Sequence, residues 1–161
     1  MDFLNPLTLM LSLSLLNTNL YQMDDSIAEN LSGSYSLESM NEGISTQRCP
    51  DSFDIQITPL NKSESFLIQK KSHFRDISAQ PRLLIVDGTP RILHDGEIIK
   101  ATVVNENSLQ IEIFNEILPQ EKIVETITFN NDDSLTYRAV LKNDLHSKPD
   151  ELCKETNYSK N

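Results

Sequence analysis

The sequence predicts an all-β chain: a single antiparallel meander of about eight to ten strands closed into a barrel, with a β-sandwich as the alternative. Three observations carry this expectation. The segments Phe53-Asp54-Ile55-Gln56-Ile57-Thr58, Leu109-Gln110-Ile111-Glu112-Ile113 and Leu135-Thr136-Tyr137-Arg138-Ala139 alternate apolar and polar residues. A period of two puts one set of side chains on a buried face and the other in water. Short links rich in Asp, Asn and Gly separate such segments, as hairpin loops require. No segment after Gly33 sustains a helical period.

Residues 1–22 read as a leader. Leu7 to Leu16 (LTLMLSLSLL) is uncharged, with serine and threonine as its polar residues. It matches the apolar stretch of a signal peptide and is too short for a bilayer core, which takes about 20 helical residues. The fit departs from the usual pattern in two places: Asp2 is the only charge ahead of it, and no small-residue cleavage site follows Leu16. With such a leader the protein is expected to be exported, periplasmic or secreted, with no stable membrane insertion of the mature chain.

Residues 23–33 read as a polar linker or a short helix capped by Asp25 or Ser26 and ended by Gly33. The β domain is expected over 34–158. Besides the three clean strands, shorter or less regular candidates lie at 34–40, 65–70, 82–86, 90–94, 97–104, 122–129 and 151–157. Asp87-Gly88, Asp95-Gly96, Asn105-Glu106-Asn107 and the run Asn130 to Ser134 separate neighbours. The expected inward set is Phe53, Ile55, Ile57, Leu109, Ile111, Ile113, Leu135 and Tyr137.

Composition narrows the function classes. The 161 residues carry 24 acidic against 14 basic side chains, for a formal net charge of −10. Phosphate neutralisation needs clustered cations, so no nucleic-acid partner is expected. The one basic cluster, Lys70-Lys71-Ser72-His73-Phe74-Arg75, reads as a solvated loop between strands, with contact to an anionic envelope component as the lesser alternative.

Cys49 and Cys153 are the only two cysteines. In an exported chain such a pair reads as a disulfide closing a long loop, with two separate buried thiols as the alternative. Two cysteines lack the spacing of a metal site, and neither has a neighbouring base.

A search for chemistry finds no catalytic residue, no metal site and no cofactor motif. The nucleophile elbow, HExxH, the P-loop and the dinucleotide-binding glycine pattern are all missing. His94-Asp95 could orient an imidazole, but Asp95-Gly96 is already explained as a turn. Asn130 to Ser134 offers clustered oxygens, which an acidic hairpin turn explains equally.

The layout resembles small exported lipocalin-like barrels of bacteria. The resemblance rests on the leader, then Gly33-Ser34-Tyr35 opening the first strand, Cys49-Pro50 ahead of an alternating strand, a run of hairpins, and a last strand holding Cys153. Tyr35 stands where the family's G-x-W signature has tryptophan. The family's second motif, T-D-Y, is missing. The resemblance implies that Gly33, Tyr35 and Arg138 close the barrel base, with Arg138 the counterpart of the arginine that packs over the aromatic ring. It further implies a cavity open at one end and a small apolar ligand, bound without catalysis. An acidic interaction protein, such as an inhibitor of a cationic protein, is the alternative; alternation alone points Arg138 outward.

Overall fold

The computed structural model describes residues 26–44, 49–50, 53–60, 64–72, 81–93, 96–144 and 150–161. The expected leader lies outside these, as do His73, His94 and His146.

Ten strands follow one short helix: α1 (Ser26–Leu31), β1 (Gly33–Glu42), β2 (Phe53–Leu60), β3 (Ser65–Ser72), β4 (Arg82–Ile85), β5 (Arg91–Ile92), β6 (Glu97–Asn105), β7 (Ser108–Asn115), β8 (Glu121–Phe129), β9 (Ser134–Asn143) and β10 (Glu151–Lys160). They form one sheet in the order β4-β3-β2-β1-β10-β9-β8-β7-β6-β5. Every ladder is antiparallel. A single sheet removes the sandwich alternative, and the pairing of β1 with β10, Tyr35 opposite Lys160, bends the meander into a barrel.

Closure is incomplete on one side. Among the described residues no ladder joins β4 to β5. The Asp87-Gly88 link therefore does not fold back as a hairpin; it crosses to β6 through a single bridge, Asp87 to Thr102. The Gly88 N–H donates to the Ala101 carbonyl at 3.0 Å. Pro90 lacks the N–H that a ladder would need, and β5 has only two residues with which to pair.

The β6–β7, β7–β8 and β8–β9 turns share one device. Asn105, Asn115 and Asp132 each accept the backbone N–H two residues on, at 2.9, 2.8 and 3.1 Å. A short side-chain oxygen thus replaces the carbonyl that a tight turn leaves unreachable.

Alternation decides what faces inward. In β2 the odd positions Phe53, Ile55 and Ile57 are buried, and Leu109, Ile111, Leu135 and Tyr137 follow the same rule in β7 and β9. At the end where β6 turns into β7, α1 plugs the barrel with Ile27, Ala28 and Leu31. Full burial of one such aliphatic side chain contributes about 1.5–3 kcal/mol. The helix is fastened by hydrogen bonds: the Tyr35 hydroxyl donates to the carbonyls of Asn30 and Leu31 at 3.2 and 3.1 Å. Those carbonyls at the helix end have no partner within the helix.

Cys49 and Cys153 are joined in a disulfide with Cα atoms 5.4 Å apart. The bridge ties the stretch ahead of β2 to a bulge in β10, where the register shifts between Leu152 and Lys154. Gly43 lies so close to the Leu152 carbonyl that any Cβ would overlap it, which lets its N–H reach the Cys153 carbonyl at 2.9 Å. A loop of this length is worth about 4–5 kcal/mol in chain entropy before native strain.

Candidate functional site

The interior divides at mid-barrel. Leu109 and Ile127 face each other across β7 and β8, and both are wholly buried. One inward position further from α1 the pair is Ile111 and Glu125, and the next is Ile113 and Ile123. From this level upward the barrel encloses a cavity of about 620 Å³, walled by Ile68, Leu84, Ile99, Ile111, Ile113, Ile123 and Leu141. The β7–β8 turn stands at its mouth, where Ile117 is 84% exposed and Leu118 is partly exposed. The cavity spans the side that includes the β4–β5 gap. The opposite side, under β1, β2, β9 and β10, is filled by Phe53, Tyr137 and Tyr158.

A charge pair sits in the cavity floor. Lys70 Nζ donates to both Glu125 carboxylate oxygens at 2.8 Å. Glu125 is 3% exposed. The same ammonium lies over the rings of Phe53 and Tyr137, at 4.6 and 5.0 Å from their centroids. A carboxylate buried without such a partner would carry a desolvation penalty of several kcal/mol. Phe53 in turn meets Tyr137 edge to face at 5.1 Å.

Burial sets the behaviour of the tyrosines. The Tyr137 phenol is pushed well above its ordinary pKa by burial first and by the Glu125 charge second. Its hydroxyl makes no well-formed hydrogen bond. Burial likewise raises Tyr158, with the nearby Thr156 opposing and the Asp54 and Glu125 charges adding. Tyr35 is pushed up to about 12 by burial and then by the Asp133 charge.

The base-closing candidates separate in space. Gly33 and Tyr35 lie together: a Cβ on Gly33 would stand 2.9 Å from Lys160 Cε and 3.4 Å from the Tyr35 ring. Gly33 has φ 154°, in the region that disfavours other residues. The cation over Tyr35 is Lys160, 6.0 Å from the ring centroid and 5.9 Å from that of Phe129. Arg138 is on the outer face, paired with Glu155 at 3.5 Å.

Lys70 was expected in a solvated basic loop; instead β3 runs through it to Ser72, and the alternation set by Phe66 and Ile68 turns Lys70 inward. Its partner carried the complementary signal, a glutamate at the inward position between Ile123 and Ile127. Nothing local links residues 55 positions apart, so only the fold shows the pair. Among the described residues no group of three or more His, Cys, Asp or Glu could hold a metal ion, and no helix is long and apolar enough to cross a membrane.

No protein-family model and no curated protein matches the chain. Solved structures do. Secretory abundant heat soluble protein 4 from Ramazzottius varieornatus superposes with a TM-score of 0.56 at 11% identity, over 82% of this chain and 95% of that one. The fluorescent protein UnaG gives 0.55 at 8% identity, over 83% and 97%. The Schistosoma mansoni fatty acid binding protein, in complex with arachidonic acid, gives 0.50 at 12% identity, over 84% and 98%. At such identities the likeness shows the fold alone: an antiparallel β-barrel.

Proposed function

We propose that the protein is a non-catalytic exported barrel that binds a small hydrophobic ligand in the open part of its interior. The observation that carries this reading is the cavity: about 620 Å³, with aliphatic walls, one charge pair on its floor and further charged side chains toward its rim. Ligand pockets run from about 300 to 1,000 Å³ with the same apolar lining and sparse polar contacts. A barrel with a solid core would have had no such role. The arachidonic acid bound to the Schistosoma protein supports the same use of this fold. Export is supported by the apolar stretch within residues 1–22 and by the Cys49–Cys153 bridge, which persists in oxidising compartments. In this reading Gly33 and Tyr35 belong to the closed base and take no part in binding.

The test is titration with a lipophilic fluorescent dye. Saturable binding at one site, abolished when Ile113→Trp fills the cavity while the circular dichroism spectrum is kept, is the expected result. Dye that fails to bind, or binds the filled variant as well as the parent, overturns the reading. Mass spectrometry of exported protein before and after reduction tests the compartment; two free thiols in untreated material would overturn it.

A further inference from the structure

Among the described residues lining the cavity, Lys70, Arg82 and Lys122 are cationic and Glu97, Glu121 and Glu125 anionic, three of each. Each of these cations already has a carboxylate. Arg82 meets Glu97 at 3.8 Å, and Lys122 meets Glu112 and Asp144 at 3.3 and 3.1 Å. Arg82 and Lys122 stand toward the gap and the mouth. Lys70 is the cation on the floor: it gives one donor to each Glu125 oxygen, and its ammonium lies over the Phe53 and Tyr137 rings.

That pairing decides which headgroup the floor accepts. A ligand carboxylate on the remaining Lys70 donor would stand beside Glu125, which is 3% exposed, so that two negative charges share one cation on the floor. An ammonium headgroup meets the mirror-image problem with Lys70. A hydroxyl meets neither. Each carboxylate oxygen has about two acceptor positions, and Lys70 uses one on each, so a neutral donor can bond to Glu125 without disturbing the pair. Resting on the binding role proposed above, we infer that the ligand is an uncharged lipid, its polar end a hydroxyl on the Lys70–Glu125 pair. Its hydrocarbon lies along Ile99, Ile113 and Ile123 toward Ile117 at the mouth.

The experiment is dye displacement from the whole folded protein at neutral pH by lauryl alcohol, laurate and laurylamine, which share one chain and differ in head charge. The alcohol is expected to compete at concentrations at least about tenfold below either charged compound. In Glu125→Gln the ammonium is released, so laurate should gain at least about tenfold while the alcohol shifts less than about threefold. Laurate or laurylamine matching the alcohol on the parent overturns the inference and leaves a binding barrel. So does a bound dye that none of the three displaces. A gain for laurate no larger than that for the alcohol in a folded Glu125→Gln also overturns it. If that variant does not fold, the three-ligand series on the parent decides. Dye that never binds removes the binding role itself.

Discussion

The two ends of this barrel are built from the same strands by the same alternation, yet one is filled and the other hollow. Toward α1, the inward positions hold Tyr35, Phe66, Leu109, Ile127 and Leu135, all at most 1% exposed, with the helix pressed between them. At and beyond the level of the Lys70–Glu125 pair, the inward positions of β6, β7 and β8 hold isoleucines at Ile99, Ile111, Ile113 and Ile123, which line the wall without reaching across it. Period-two patterning therefore decides which side chains point in. Whether they meet depends on their summed volume and on whether another element supplies what is missing.

This contrast can be broken most sharply by truncation. Phe66→Ala or Leu135→Ala at the filled end should cost about 3–5 kcal/mol in urea unfolding, because both transfer energy and packing are lost. Ile113→Ala on the hollow wall should cost about 1 kcal/mol, since that side chain already borders open space. Equal losses at the two ends would mean that the cavity collapses around its wall.

Removing the bridge comes next. Cys49→Ser with Cys153→Ser should lower stability by about 2–5 kcal/mol, read by the same unfolding experiment with and without reductant. A loss confined to the hollow end, seen as changed dye binding with an unchanged midpoint, would make the bridge a local clamp on the mouth.

Alkaline titration sharpens the picture at both ends, since Tyr35 belongs to the base and Tyr137 lies beside the cavity floor. A phenol whose folded pKa lies above its ordinary value of 10.0 is held neutral by the fold. The stability this provides is whole below that ordinary value and falls as pH rises through the folded pKa, about 12 for Tyr35. Tyrosinate absorbance from Tyr35, Tyr137 and Tyr158 should thus appear together with loss of the circular dichroism signal. Ionisation of any of the three in folded protein would show that water reaches it.

The smallest expected effect is at Arg138. Its pair with Glu155 is exposed on both sides, so Arg138→Ala should change stability by less than about 0.5 kcal/mol. A large loss would mean that the outer face supports the base in a way its contacts do not show.

Most of the strands were legible because alternation is local: all three clean segments lie within β2, β7 and β9. The link at Asp87-Gly88 was legible as a break but not as a gap, because an Asp-Gly pair looks the same in a hairpin and in a crossing. Barrel and sandwich could not be separated, since the deciding contact joins Tyr35 to Lys160 and depends on how far the whole sheet coils. The site was less legible still. Lys70 looked like part of a basic loop because its neighbours Lys71 and Arg75 are also cationic, and burial of a lysine is shown only by the partner that neutralises it. The cation over Tyr35 is Lys160 on the neighbouring strand, whereas position in the layout pointed to Arg138.

The unladdered step between β4 and β5 has a topological consequence. Read from β5, the sheet runs β5 to β10 and then β1 to β4, so its order is a circular permutation of the chain with one junction, β10 to β1. That junction is already short in space, for the Asn161 N–H donates to the Ser34 carbonyl at 2.9 Å. A chain joined there by a linker into α1 and opened between Ile85 and Arg91 would keep every strand ladder while giving up the single Asp87–Thr102 bridge. The native connectivity instead makes β1 and β10, its first and last strands, meet in the longest-range pairing among the described residues. The one unladdered step is thereby kept on the side where the cavity lies.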